Sequence, residues 1–392
     1  MSSKQPDSRG RDPRSVLSAF YAAKFGHLGI VLPFLAPWLQ GRGLGALGIG
    51  LLLSLPPMFK VIAPWLWGRW ADRGGRRGPL LVVASLLSAA ALTAMTLAEP
   101  LWLLCLFMAV YGFARAPILP YIEATALEQS ESLDFAYGPV RMWGSVSFMV
   151  VSSLFGALRG VVSDDWGLYF GAMLLALCGL LAVWGLPESP VASSAQNATP
   201  TPAEPAAPRP RDGQLVRLVA ACALMQVSHG AYYTFYSIHL AQLGYSSTAI
   251  GALWALGVLC EVVVLTQADN LLHRFGPHAM LQACLVLAAV RWVLIGFVDS
   301  PLPLVLGQVL HAATYAGFHV AAIREVFRLF GKERRAVGQS VYSGMTFGLG
   351  MVVGSLAAGW VAGWAGLPAA FTASAAVALV ALPVLGKAPS RG

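Results

Sequence analysis

The sequence predicts an all-α membrane protein in which twelve transmembrane helices form two six-helix bundles related by pseudo-symmetry. Three observations predict this fold class: a low charge content, a series of long apolar blocks, and a repeat between the two halves of the chain. Of the 392 residues, 57% are hydrophobic and only 11% are charged, whereas soluble domains carry about 25% charged residues. A soluble protein with so few charges would be unable to cover its surface with polar groups, so lipid must face much of this chain.

Twelve apolar blocks are long enough to span a membrane. A helix that crosses about 30 Å of hydrocarbon needs roughly 20 mostly apolar residues. The blocks are too long and too continuous to be the alternating strands of a transmembrane barrel. They lie at 16–39, 45–67, 79–98, 101–126, 137–158, 166–186, 214–241, 247–267, 277–298, 302–326, 337–361 and 366–386.

A stretch rich in proline and alanine, 187–213, divides these blocks six and six. It has little apolar surface to bury, so we predict a flexible cytoplasmic linker. The predicted organisation is a cytoplasmic tail at 1–15, one bundle at 16–186, the linker at 187–213, a second bundle at 214–386 and a cytoplasmic tail at 387–392.

The positions of lysine and arginine predict the orientation. With the N-terminus inside, the outer connections hold only Arg42 and Arg159. Because basic residues concentrate in cytoplasmic loops, both termini should be cytoplasmic, in the inner membrane of a bacterium. We expect a monomer. The inner connections and tails hold Lys4, Arg9, Arg11, Arg14, Arg69, Arg73, Arg76, Arg77, Arg209, Arg211, Arg217, Arg274, Arg328, Lys332, Arg334, Arg335, Lys387 and Arg391.

The two halves repeat in one frame. A shift of 201 residues places Gly43 on Gly244, Gly50 on Gly251, and the Arg73–Gly75 pair on Arg274–Gly276. Parallel repeats about an axis along the membrane normal are a transporter architecture, with the binding site near mid-membrane between the repeats.

The connection after the second block carries a motif. Its sequence GRWADRGGRR resembles the G-x-x-x-D-R-x-G-R-R loop of the major facilitator superfamily, which implies that superfamily's fold and alternating access. Asp72 is expected to pair with an arginine across the seam between the halves and to release it on switching. The predicted conformational-switch loop comprises Gly68, Asp72, Arg73, Gly75, Arg76 and Arg77.

A finer resemblance concerns the 3-phenylpropionic acid permease branch, which is related to the lactose permease group. It depends on YGPVRMWGS (137–145), GAYYTFYSI (230–238), LGVLCEV (256–262) and VRW (290–292). The resemblance implies a small aromatic carboxylate as substrate. Lys24 and His27 in the first block depart from the expected pattern.

Helices 1, 4, 7 and 10 line the substrate cavity in that superfamily, and here each carries polar residues at helical spacing. Lys24 and Arg115 are the best candidates to hold a carboxylate, because arginine offers a planar fork for two oxygens. Ordinary hydrogen bonds between helices are the alternative role for each residue. The predicted substrate-binding set is Lys24, His27, Arg115, His229, Tyr233, Tyr236, His311, Tyr315 and His319.

Further ionisable residues lie inside the blocks, where each costs about 2.5–3.5 kcal/mol at a helix centre. Lys60 and Glu261 occupy matching repeat positions, so we expect either a bridge across the seam or a proton carrier at Glu261. Glu123 competes for that role or pairs with Arg141. Arg291 completes this set of buried ion pairs or proton-coupling groups.

The predicted function is a proton-coupled symporter that imports a small aromatic carboxylate, with protons, an organic anion and lipid as partners. A sugar or nucleoside symporter and a drug efflux transporter are the alternatives within the superfamily. An enzyme is not expected, because the histidines form no metal or triad motif. No cofactor beyond the proton gradient, no metal and no nucleic acid are expected, since the basic residues separate apolar blocks instead of sharing one face.

Overall fold

A computed structural model describes residues 12–74, 77–186, 212–331 and 334–387. This part of the chain is helical and contains no strand. The first half contains six spans, which we label α1 to α6. They are α1 (Pro13–Gly41), α2 (Ala46–Gly74), α3 (Arg77–Met95), α4 (Leu101–Arg115 continued by Ile118–Ser132), α5 (Tyr137–Leu158) and α6 (Asp165–Trp184).

The second half contains six more spans among the described residues. They are α7 (Asp212–Ser228 and Gly230–Gln242), α8 (Ser247–Thr266), α9 (Pro277–Phe297), α10 (Pro301–Ala312, a π-helical turn Ala313–Gly317, and Phe318–Phe330), α11 (Arg335–Ser343, a π-helical turn Gly344–Gly350, and Met351–Ala365) and α12 (Leu367–Leu385). A short helix, Ala268–Phe275, follows α8.

These spans match the predicted blocks, with small differences at their ends. Helix α1 begins at Pro13, inside the predicted tail, because Asp12 caps it by accepting a hydrogen bond from the Arg14 amide. Helix α7 begins at Asp212, so the last two residues of the predicted linker are helical. The rest of that linker lies outside the described residues.

Within the described residues, eleven spans are long and apolar enough to cross a membrane. Helix α10 is not among them, because Gln308, His311, Thr314 and His319 lower its hydropathy. Its place between α9 and α11, and its packing against α8 and α9, make it the twelfth span of the fold. Polar residues concentrated in one span indicate a helix that faces a functional interior more than lipid.

The outer surface of the bundle is apolar. Large hydrophobic side chains such as Trp102, Leu154, Trp184 and Val290 are exposed at spacings that follow the helices. In a soluble protein such a surface would aggregate, whereas in a bilayer it faces acyl chains.

The two halves meet along α2–α11 and α5–α8. We call the membrane face where α1 begins and α12 ends the terminal face, and the other the opposite face. The tightest contacts lie toward the opposite face, where a Cβ at Gly50 would approach Gly359 Cα to 2.8 Å. A Cβ at the repeat-related Gly251 would overlap the Ser152 carbonyl oxygen in the same way. The halves therefore close on each other at the opposite face.

Toward the terminal face the packing differs. The terminal-face parts of α4, α10 and α11 pack mainly within their own half. Glu261 and Tyr315 keep partial exposure although they lie well inside α8 and α10. The interior of the molecule is therefore open from the terminal face.

Candidate functional site

Three cations of the first half form what we call the cationic group: Lys24 of α1, Lys60 of α2 and Arg115 of α4. Lys24 is 2% exposed, and its Nζ has no hydrogen-bond partner. The Arg115 guanidinium lies 5.2 Å from the centre of the Tyr111 ring, while its Nε is buried without an acceptor. Among the described residues, no carboxylate lies within 4.0 Å of any of the three. Within the described part of the chain, the group therefore presents positive charge that no carboxylate neutralises.

His27 has a different environment from Lys24, one turn away on α1. Its Nδ1 lies 3.1 Å from the Gly171 carbonyl oxygen, so Nδ1–H donates to that oxygen. In the neutral ring Nε2 then accepts from the Tyr111 hydroxyl at 2.7 Å. Both ring nitrogens are satisfied and the side chain is fully buried. In this structure His27 therefore joins α1 to α4 and α6, and its role in substrate binding stays a prediction.

Arg141 and Glu123 form the predicted pair, at 3.8 Å. The Arg141 guanidinium also lies 4.0 Å from the centre of the Phe25 ring. Helices α5 and α8 run antiparallel across the seam, and the close approach of Gly251 to Ser152 sets a register that places Arg141 level with Glu261. Arg141 therefore contributes to the electrostatic field at Glu261 from the other half.

Glu261 pairs within its own half. Its Oε1 lies 2.7 Å from His311 Nε2, while the other imidazole nitrogen, Nδ1, is buried without a partner. Lys60 instead lies over the Phe347 ring, 5.8 Å from its centre. The predicted Lys60–Glu261 bridge is therefore not formed in this structure, because α8 turns the carboxylate toward α10.

Arg291 of α9 is fully buried beside this pair. Its Nε donates to the Gly307 carbonyl oxygen at 2.8 Å, and Nη1 donates to Thr314 Oγ1 at 3.4 Å. Its guanidinium lies 4.1 Å from the centre of the Tyr232 ring and 4.4 Å from that of Trp292. The two rings and the Gly307 carbonyl therefore stabilise the Arg291 guanidinium near Glu261, whose carboxylate can carry the opposite charge.

Aromatic rings of α7 and α8 surround the centre of the second half. Tyr233 packs edge-on against Tyr232, with centroids 5.1 Å apart, and Tyr236 lies tilted at 4.9 Å from the same ring. Tyr232 donates to Gln308 Oε1 at 3.0 Å. Tyr236 is fully buried and its hydroxyl lacks a partner. These rings, with Trp254, form an aromatic wall that borders the Glu261–His311 pair.

Sequence reasoning missed Gln308. It lies three residues before His311 on α10, a spacing that places both on one face of a helix. The signal available in the sequence was a polar amide inside an otherwise apolar span. The side chain is fully buried, and its amide nitrogen has no acceptor.

His229, Tyr315 and His319 line a small cavity at the two π-helical turns. The space admits about one water molecule. His229 directs its unpaired Nε2 away from the Met225 carbonyl that Nδ1 contacts at 2.8 Å. His319 is hydrogen-bonded to Tyr342. Of the predicted face of His311, Tyr315 and His319, the first two rings stack with centroids 5.4 Å apart. His319, beyond the π-turn, packs instead against Tyr342 and Phe347.

The predicted switch loop is described only in part. Arg77 makes a two-pronged hydrogen bond to Glu128, with distances of 2.6 and 2.8 Å. The side chains of Asp72 and Arg73, and the whole of Gly75 and Arg76, lie outside the described part, and Gly68 is described only as a helical residue of α2. The proposed partner of Asp72 stays a prediction.

Two six-helix halves, closed at one face and open at the other around buried mid-membrane charges, define a membrane transporter. The chain matches the model of the MFS_1 like family over residues 15–373. It therefore belongs to this family of the major facilitator superfamily, whose members are transporters and not enzymes. This confirms the superfamily resemblance of the loop motif.

Two similar proteins agree with this assignment, and a solved structure shares the fold. The probable 3-phenylpropionic acid transporter of Escherichia coli (strain K12) is 31% identical over 94% of this chain and 95% of its own length. The maltose permease of Geobacillus stearothermophilus is 26% identical over 89% of this chain and 87% of its own. The crystal structure of the nucleoside transporter NupG has a TM-score of 0.82 at 18% identity, covering 95% of this chain and 97% of its own.

Proposed function

We propose that this chain is a proton-coupled symporter that imports a small aromatic carboxylate across a bacterial inner membrane, with both termini in the cytoplasm. The observation that carries the proposal is the cationic group. Lys24 is buried and unpaired, and a charge left uncompensated inside a protein is costly. A carboxylate bound beside Lys24 and Arg115 would neutralise them, and arginine can hold both of its oxygens.

The aromatic wall supports the second feature of the proposed substrate, an aromatic ring. Tyr233, half-buried, presents a ring next to the open interior, and Tyr232 and Trp254 stand behind it. Rings pack favourably against rings in offset or edge-on geometry. A substrate with a carboxylate at one end and a ring at the other would contact both halves at once, which is what alternating access requires.

The Glu261–His311 pair supports proton coupling. Arg291 and Arg141 favour the ionised carboxylate of Glu261, whereas burial favours its neutral form. Movement of the halves would change the distance from Arg141 to Glu261, and with it the proton affinity of this site. Import of an anion against an inside-negative potential costs about 2.3 kcal/mol per charge per 100 mV, and a cotransported proton offsets that cost.

The test is uptake of labelled 3-phenylpropionate into proteoliposomes with an imposed, inside-alkaline pH gradient. We expect accumulation above the outside concentration that ends when a protonophore collapses the gradient. Accumulation that is unchanged by the protonophore would exclude proton coupling. Labelled maltose and a labelled nucleoside serve as comparison substrates, and saturable uptake of either one without uptake of the aromatic acid would exclude the proposed substrate class.

A further inference from the structure

A second site lies on the terminal face, away from the cationic group. The ends of α7, α9 and α12 border an open pocket of about 650 Å³. Two of its lining residues are cations and none is acidic. The lining residues are Arg217, Gln282, Leu382, Pro383, Gly386 and Lys387.

Arg217 is held in place by the end of α12. Its Nε donates to the Val384 carbonyl oxygen at 3.1 Å. Its guanidinium lies directly against Gly386, where φ is +76° and where a Cβ would overlap the guanidinium. The positive φ favours glycine at 386, and a larger residue there would also push the guanidinium aside. The Nη groups have no acceptor among the described residues, so a fixed guanidinium keeps donors free for a ligand.

The carbonyl end of α12 would ordinarily repel an anion, because the C-terminus of a helix carries partial negative charge. Here the Gly386 carbonyl oxygen accepts two hydrogen bonds, from His278 Nε2 at 2.9 Å and from Gln282 Nε2 at 3.1 Å. These donors reduce the repulsion. The pocket therefore combines a positive lining with a neutralised helix end.

Exposed apolar faces run from this pocket toward the middle of the membrane. On α9, Val286 and Val290 follow Gln282 at helical spacing and are each 45% exposed. On α12, Leu379 precedes Pro383 by one turn and is also exposed. A molecule bound in the pocket would thus have a charged end at the membrane surface and apolar surface alongside its remainder.

We propose that this pocket binds the phosphate headgroup of an anionic phospholipid, with Arg217 and Lys387 contacting the phosphate and acyl chains lying along α9 and α12. Basic pockets between transmembrane helices on the cytoplasmic side recognise such headgroups. Arginine matches phosphate geometry with paired N–H donors. The site is independent of the proposed transport function, since it contains none of the substrate or proton residues.

The test uses the full chain in detergent, titrated with a short-chain phosphatidylglycerol, a short-chain phosphatidylcholine and inorganic phosphate, with bound lipid counted by native mass spectrometry. We expect one phosphatidylglycerol to bind in preference to phosphatidylcholine. The variant Arg217→Gln/Lys387→Gln should bind it about twenty-fivefold more weakly, or about fivefold for each cation lost. Lys387→Gln alone, at an exposed helix end, should show the fivefold loss if the double variant is poorly folded.

The matched control is Arg324→Gln/Arg334→Gln, which removes two exposed cations from the same face outside the pocket. It should bind phosphatidylglycerol like the unaltered chain. If the control lost as much affinity for phosphatidylglycerol, the effect would come from the overall charge of this face, and the proposed site would be overturned. Inorganic phosphate that displaces the lipid at equal concentration would overturn the lipid assignment, because headgroup and acyl chain together should bind more tightly than the free anion.

Discussion

Lys24 ends in an ammonium group that no described side chain neutralises, so its burial should reduce stability. A methionine of similar length would fill the same space without a charge. Replacement of buried charges by apolar residues is often stabilising, by about 1–4 kcal/mol. We expect Lys24→Met to raise the midpoint of thermal unfolding in detergent and to abolish uptake of the aromatic acid. A variant that lost stability would indicate that Lys24 has a structural partner.

Arg115 should act on the substrate more than on the fold, because its guanidinium is only partly buried. Hydrogen bonds to a charged partner contribute about 1.5–3 kcal/mol. Arg115→Gln should therefore weaken substrate binding roughly ten- to hundredfold, measured as the Kd for the acid by calorimetry. Arg324→Gln, an exposed arginine on the terminal face, is the control, and an unchanged Kd in Arg115→Gln would exclude the proposed carboxylate site.

Glu261 is the residue through which we expect proton binding to be coupled to the conformational change. In Glu261→Gln the residue is permanently neutral, so exchange of labelled for unlabelled substrate should continue while uphill uptake ceases. Both rates are measured in the same proteoliposomes, with Glu131→Gln, an exposed terminal-face change, as the control. Loss of exchange as well as uptake would assign Glu261 to structure and not to coupling.

The individual roles of these residues were only partly accessible from the sequence. Lys24 and His27 looked alike, as polar residues one turn apart on an apolar helix. They differ because the partners of His27 stand at positions 111 and 171, which only the tertiary fold brings near. Likewise, the repeat aligned Lys60 with Glu261, but α10 supplied His311 at closer range.

At the scale of helices, the contact between α5 and α8 leaves no room for a side chain at Gly251. A leucine there would force the helices apart, and overpacking of this kind costs about 1–3 kcal/mol. That shifts the balance between conformations by roughly five- to hundredfold. We expect Gly251→Leu to lengthen the distance between spin labels at Ser163 and Ser300, which lie on opposite-face connections of the two halves, as measured by pulsed electron resonance.

Gly160→Leu is the matched control. It lies on the same face, and a Cβ at Gly160 would meet nothing within 4 Å. The label distance in this control should equal that of the unaltered chain. An unchanged distance in Gly251→Leu would mean that the halves do not close through this glycine.

The helices themselves were well predicted, because the thickness of the membrane requires apolar segments of about 20 residues, which hydropathy detects directly. Their interruptions were not. The π-turn Ala313–Gly317 contains no proline, and a single extra residue in a turn leaves the apolar pattern nearly intact. The short helix Ala268–Phe275 is too brief to give a spanning signal, so the sequence predicts a connection there.

For the whole molecule, the pattern of basic residues predicts that the segment between the halves is cytoplasmic. A protease site inserted between Ala206 and Ala207 should be cut in inverted membrane vesicles and protected in spheroplasts. The two fragments should stay together in detergent, because α2–α11 and α5–α8 hold the halves. The same site inserted after Gly160 should show the reverse pattern of cleavage, and cleavage of the linker site in spheroplasts would reverse the proposed orientation.

The two-half architecture was predictable because a repeat, a loop motif and a basic bias all point to it independently. The conformational state of the molecule was not predictable from the sequence. Which face is closed depends on how Gly50 and Gly251 contact the other half, and a sequence that must adopt two states carries the contacts of both.

The seal at the opposite face has one further consequence. It is made of glycine backbones against serine carbonyls, at Gly50 with Ser355 and at Gly251 with Ser152, so no titratable side chain takes part in these two contacts. A change of pH would therefore leave the two contacts themselves unaltered, and any response to protons must come from charged groups elsewhere in the chain.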